Sequence, residues 1–135
     1  MEENLLTNNI EANQDFIEVN ELLPTGPAQQ LFIAGASVFE ITEFTPPIQR
    51  VTILAINLPD PDTFGPFDRY VAILLTPGSM EPLAVIDLEP TVDEQNWVGS
   101  TLLDFGGTLP DIRVEVRPVS FDREGPVILE GQVFP

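Results

Sequence analysis

The clearest hydrophobic pattern in the chain lies in residues 49–58, QRVTILAINL. Both alternating sets of positions are largely apolar: Val51, Ile53 and Ala55 on one side, and Thr52, Leu54, Ile56 and Leu58 on the other. A strand that is apolar on both faces is typical of a position covered from each side. The segment is too short to span a membrane, and its β-branched residues disfavour a helix. The pattern therefore predicts a central β-strand buried on both faces.

Seven further segments show strand patterns and are separated by turns rich in proline and glycine. They are 15–23, 29–42, 70–76, 83–88, 97–103, 112–118 and 127–134. No window places apolar residues at the spacing of an amphipathic helix behind a capping residue. About eight short strands at regular spacing are typical of two packed antiparallel sheets. The sequence therefore predicts an all-β protein, an antiparallel two-sheet β-sandwich of Ig-like or jelly-roll type.

The start of the chain differs from the rest. Residues 1–14 are polar, the next nine residues alternate like a strand, and a turn cluster follows at 24–27. This order predicts an extended N-terminal arm, residues 1–24, ahead of a sandwich domain at 25–135. A strand before a proline-rich hinge can add to its own sheet or to the sheet edge of a neighbouring copy. The predicted contact residues of this exchangeable arm are Phe16, Ile17, Val19 and Leu22.

Charge narrows the range of partners. The chain of 135 residues has a formal net charge of −17, and all five of its positive charges are arginines. Such a field repels nucleic acid and anionic bilayers, so neither is an expected partner. With 43% hydrophobic residues the chain is nevertheless expected to fold, as a single domain. The N-terminus is acidic, unlike a signal peptide, and no apolar segment is long enough for a membrane span.

The residue types disfavour catalysis. The chain has no cysteine and no histidine, which removes thiolate nucleophiles, imidazole bases and the usual zinc ligands. Glu89, Asp93 and Glu94 form an acidic loop, and two carboxylates can act as acid and base on a glycoside. Nothing in the pattern marks them as buried, so a solvated loop is the preferred interpretation. We therefore expect a protein that is not an enzyme.

One loop suggests a metal. Asp60, Asp62 and Asp68 lie within ten residues and offer the oxygen ligands that Ca²⁺ prefers. The prolines of the same loop support the alternative, a stiff turn that binds nothing. Calcium is the one cofactor that the sequence suggests. The single tyrosine and tryptophan, Tyr70 and Trp97, are expected in the core.

From Gly35 onward the order of motifs resembles the C-terminal, extracytoplasmic Ig-like domain of anti-sigma-K-type factors. The matching segments are 35–38, Leu58-Pro59, 70–73, 114–118 and 125–131. The tryptophan that usually follows the family's tyrosine is absent after Tyr70, and neither the sigma-binding helical domain nor a transmembrane helix is present. The resemblance implies the Ig-like fold, without the regulatory role.

Two functions follow as predictions. The first is a structural subunit that assembles with copies of itself into a filament or surface layer by exchange of the N-terminal arm. An extracellular, cell-surface or spore-surface location is expected for such a homo-oligomer or polymer. The alternative is a soluble binding or sensor module, like the anti-sigma domain, whose acidic loops recognise a cation or a basic protein.

Overall fold

The computed structural model describes residues 16–42, 48–92, 96–106 and 109–134. Within these ranges the chain forms nine strands and two short 3-10 helices, and no α-helix. The strands are β1 (Phe16–Pro24), β2 (Ala34–Thr42), β3 (Ile48–Ile56), β4 (Arg69–Leu75), β5 (Ala84–Pro90), β6 (Trp97–Leu103), β7 (Arg113–Ser120), β8 (Arg123–Glu124) and β9 (Leu129–Gln132). The helices are Gly26–Ala28 and Pro61–Phe64. The all-β class predicted from the sequence is confirmed.

The sheet closes into an antiparallel β-barrel. Eight strands are hydrogen-bonded in the order β4, β5, β6, β3, β2, β1, β9, β7, and β7 pairs with β4 to complete the ring. The short β8 pairs with the end of β7. The predicted two-sheet sandwich, whether Ig-like or jelly-roll, is therefore wrong. A sandwich keeps free sheet edges, whereas here the edges of the two halves are bonded to each other, and strand alternation is the same in both folds.

Two narrow corners join the halves of the barrel. Each corner consists of two residue pairs: Leu23↔Glu130 and Pro24↔Leu129 between β1 and β9, and Glu89↔Val98 and Pro90↔Trp97 between β5 and β6. Glycine lies at each corner. A Cβ on Gly131 would lie 2.7 Å from the carbonyl oxygen of Glu21, and a Cβ on Gly99 would clash with the carbonyl oxygen of Asp87. The crossing strands approach too closely for a larger residue.

Side chains fill the barrel interior, as expected for eight strands. The largest fully buried ones are Tyr70, Phe39, Leu22, Ile53, Leu58, Leu74, Ile112, Ile128, Leu129, Val51, Val114 and Val116. The ring of Phe39 packs edge-on against Phe134 with centroids 4.8 Å apart. Tyr70 packs in the same way against Trp97 at 4.9 Å. The prediction that Tyr70 is a core residue is confirmed, and the partly buried Trp97 packs against that core.

Residues 48–56 form a strand, β3, as predicted, with β2 and β6 as neighbours, but in a closed barrel no strand is central. Only one of its faces is covered. Ile53 is fully buried, whereas Leu54 is half-buried and Ile56 is exposed. The prediction of two covered faces is wrong because a barrel has one interior, and alternate residues must point outward. Leu58 returns to the core because Asn57 adopts a left-handed conformation, with φ 66°, that breaks the alternation.

Strand β1 corresponds to the second part of the predicted arm. It pairs with β2 of its own chain from Phe16 to Leu22. Residues 1–15 of the arm lie outside the described residues. The strand predicted to be exchangeable is thus one of the strands of its own barrel in this structure, and its exchange between copies stays a prediction.

Candidate functional site

The outer surface of β1, β2, β3 and β6 is unusually apolar. We call its outward apolar side chains the apolar face: Ile17, Val19, Leu23, Ala36, Val38, Ile48, Leu54, Ile56, Val98 and Leu102. Ile17 is 70% exposed, Val19 61% and Leu102 57%. Single exposed apolar residues are ordinary, whereas a larger apolar patch is a candidate for an interaction surface.

Local sequence explains the apolar face. The strands alternate between positions that enter the core and positions that face solvent, and here both sets are apolar. The charged outward residues of these four strands are Glu21, Glu40 and Arg50. Glu40 lies opposite Arg50 in the register, and Arg50 Nε is 4.0 Å from Glu40 Oε2. The face therefore carries little net charge on a strongly acidic protein.

The four predicted arm residues divide between the two sides of β1. Phe16 packs against the core and Leu22 is fully buried within it. Ile17 and Val19 point outward and belong to the apolar face. The structure thus assigns two of the four to the barrel's own stability and leaves two for contact with another molecule.

The opposite side of the barrel, outside β4 and β7, has a different character. A small apolar cluster of Val71, Ile73 and Val119 is buried on the outer surface. A shallow groove of about 430 Å³ runs over it, and its lining combines apolar residues and Ser120 with two arginines and two acids, Arg69, Arg123, Asp122 and Glu124. Charges of both signs therefore lie beside the apolar cluster on this side.

An ion-pair network lies on the outside of β7. Glu115 is only 9% exposed and accepts hydrogen bonds from Arg113 at 2.6 Å and Arg117 at 3.1 Å. Arg113 also reaches Glu130 of the neighbouring strand β9 at 3.4 Å. Arg117 also donates a hydrogen bond to the carbonyl oxygen of Gly125, at 2.7 Å. Glu115 is therefore buried although it lies on the outer side of β7, because the two arginines pack against it.

The aspartates of the predicted calcium site are not assembled. Asp60 and Asp62 flank the first residue of the second 3-10 helix, whereas Asp68 lies 3.4 Å from the guanidinium of Arg69. Among the described residues, no group of three or more acidic side chains is placed to hold a metal ion. Calcium binding remains a prediction from the sequence alone.

Tyr70 is a buried residue whose pKa is affected by the nearby Asp60 and Asp62. Its hydroxyl donates to the carbonyl oxygen of Pro59 at 2.7 Å, inside the barrel end. Burial raises the pKa of Tyr70, and the negative charges of Asp60 and Asp62 raise this pKa further, because all three disfavour the phenolate. Tyr70 is therefore a neutral structural hydrogen-bond donor at ordinary pH.

The other predicted acidic loop is described only in part. Asp93 and Glu94 lie outside the described residues, and Glu89 is an exposed residue of β5. In the part of the chain that the structure covers, no helix is long and apolar enough to cross a membrane.

These features define a small acidic protein built on a closed antiparallel β-barrel with an apolar outer face. The chain belongs to the family described as SPbeta prophage-derived uncharacterized protein YoqH, whose model matches residues 18–135. Comparisons with curated proteins and with solved structures gave no match. The resemblance to anti-sigma-K-type factors, and the sensor function drawn from it, therefore stay predictions.

Proposed function

We propose that this protein is a non-enzymatic structural subunit that associates with copies of itself through the apolar face. The observation that supports the proposal is the exposure of Ile17 and Val19 on β1 and of Leu102 on β6, the two outer strands of a four-strand surface with further outward apolar residues between them. Apolar surface of this extent is costly in water and is retained where another protein covers it.

Charge supports a second copy as the partner. Two copies with a net charge of −17 each repel one another, so they approach best where charges are fewest. The outward positions of β1, β2, β3 and β6 include two glutamates and one arginine, and two of these three form a pair. Screening at physiological salt acts within about 8 Å and weakens the remaining repulsion. Added salt is therefore expected to strengthen association.

The size of the face is adequate. Four strands about 4.8 Å apart and up to nine residues long, at about 3.3 Å per residue, give a face of about 19 by 30 Å. This projected area of about 570 Å² is of the same order as the roughly 800 Å² that each partner contributes to a stable interface.

Contact through the face needs no strand exchange. Exchange of β1 requires Leu22 to leave the core and the pairing with β2 along Phe16–Leu22 to break before the same contacts re-form in the other copy. Contact between faces keeps each barrel intact and buries Ile17 and Val19 in addition. The geometry therefore supports association of whole barrels over the exchange route predicted from the sequence.

Sedimentation velocity across a concentration series, at low and at physiological salt, tests the proposal. We expect concentration-dependent association that grows with salt and weakens at least about tenfold in Leu102→Lys, because a buried ammonium has no partner there. The matched control is Val85→Lys, 56% exposed on β5 of the other half of the barrel, which should associate like the unmodified chain. A chain that stays monomeric at high concentration and physiological salt would refute the proposal.

A further inference from the structure

One edge of β1 is open for most of its length. In the described part of the chain, residues 16–22 have strand partners on the β2 side, and pairing with β9 begins only at Leu23. From Leu22 back toward Phe16, β1 is no longer paired with β9. The side chain of Asn20 spans the gap between them by donating a hydrogen bond to the carbonyl oxygen of Val133 at 2.8 Å. Backbone donors and acceptors along one side of β1 are thus left for another strand.

This edge has no lysine, proline or bulge to block strand pairing. Exposed edges are commonly blocked by charged side chains, lysine above all, by proline or by a bulge. The charged residues of this edge are Glu18 and Glu21. The segment Phe16–Leu22, FIEVNEL, contains neither lysine nor proline, and its register with β2 is unbroken. Its outward residues Ile17 and Val19 continue the apolar face to the edge itself.

We propose that two copies of the chain pair antiparallel along this edge, with Val19 of one copy directly opposite Val19 of the other. The inference rests on the proposed self-association and adds to the contact between faces a second contact, at the strand edge. The two four-stranded halves would form one continuous sheet, and the two apolar faces would merge into a single surface twice as wide.

Charge and geometry select this register. Directly opposite residues in an antiparallel pair point to the same side of the sheet. The two-fold axis must therefore place one residue opposite its own copy. An axis between two residues would place an outward side chain opposite an inward one. An axis at Glu18 would place two carboxylates opposite each other, which is destabilising. An axis at Asn20 would limit the pairing to residues 19–21, because Leu22, which is enclosed by its own barrel, would lie opposite Glu18, whereas an axis at Val19 allows pairing over 17–21. The axis at Val19 pairs Glu18 with Asn20 and Ile17 with Glu21 across the copies, without opposing like charges.

Disulfide trapping tests the register, because the chain has no cysteine of its own. Opposite residues have Cα atoms about 4.5 to 5.5 Å apart, within the range that a disulfide bridges. Val19→Cys is therefore expected to become a covalent dimer on mild oxidation. Ile17→Cys alone is expected to stay uncrosslinked, since its two copies would lie about 13 Å apart. An equimolar mixture of Ile17→Cys and Glu21→Cys is expected to crosslink only as the mixed dimer.

Sedimentation of the unmodified chain, run in parallel, separates the two proposals. If that chain associates while Val19→Cys stays uncrosslinked and Leu102→Cys crosslinks, the copies stack by their faces: the edge pairing is overturned and self-association stands. Equal crosslinking of Val19→Cys and Ile17→Cys also overturns the register. If the unmodified chain is monomeric under all conditions, both proposals are overturned.

Discussion

Replacing Tyr70 with phenylalanine tests the barrel interior with little interference from other groups. The chain has one tyrosine and no lysine or cysteine, so Tyr70 is the one side chain whose ordinary pKa lies between about 9 and 12. At pH 8 the change removes the buried hydrogen bond to the Pro59 carbonyl. We expect a loss of about 1 to 2 kcal/mol in the free energy of unfolding. For a chain of 135 residues this lowers Tm by about 3 to 7 °C.

The pH dependence has a definite sign. In the unfolded chain Tyr70 ionises with a pKa of about 10, whereas in the folded barrel burial, with help from the aspartates, keeps the pKa well above that value. The protonated hydroxyl therefore contributes its full stability below pH 10, and this stability is lost as the pH rises from 10 toward the folded pKa. By pH 11 the unmodified protein should have lost about 1.4 kcal/mol relative to pH 8. The phenylalanine variant should lose almost nothing.

Urea unfolding followed by the fluorescence of Trp97, at several pH values from 8 to 11, measures both effects. The control is Thr25→Val, which removes the hydroxyl bond to the Val127 carbonyl at 3.0 Å but no titrating group. It should be less stable than the unmodified protein by a similar amount at every pH. Parallel loss of stability in the unmodified and Tyr70→Phe proteins between pH 8 and 11 would refute the assignment. Tyrosinate absorbance rising near pH 10 in the folded protein would also refute it.

Three further measurements test the fold and the metal. Ile53→Asp should unfold the protein, because it buries an unpaired charge, whereas Leu54→Asp on the outer face should remain folded; equal far-UV circular dichroism of the two variants would contradict the assignment of faces. Gly99→Ala should destabilise the protein by about 1 to 3 kcal/mol through overpacking at the β5–β6 corner, while Gly106→Ala, in open space, should be nearly neutral in thermal unfolding. Calcium bound at 100 times its Kd by the aspartates of the 59–68 loop would add about 2.7 kcal/mol; an unchanged Tm between millimolar calcium and a chelator would end that prediction.

Strand positions were readable from the sequence because each depends on its own residues. The segments predicted at 70–76 and 97–103 correspond to β4 and β6 within one residue at each end. The two-faced apolar pattern of 49–58 correctly located a strand, β3, but not its environment. The same pattern also indicated the apolar face. One apolar side of the strand enters the core, so its other apolar side had to be either covered by a second layer or exposed.

The candidate site was only partly predictable. Ile17 and Val19 were identified as contact residues from alternation, and they lie outward as such residues should. The burial of Glu115 was missed, because it depends on arginines two positions away on either side folding back over it. The separation of Asp68 from the other loop aspartates depends on the path of the loop, which proximity along the chain does not give.

The sequence by itself determined that this protein is made of strands, that Tyr70 is enclosed, and that thiol and imidazole chemistry are absent. Each of these follows from residue type or from alternation over a few neighbours. Only the tertiary structure decided that the sheet closes, through two residue pairs at each corner, and therefore which face of β3 is inside. Closure depends on hydrogen bonds between residues far apart in the chain, and a pattern with a period of two is the same on either side of a strand.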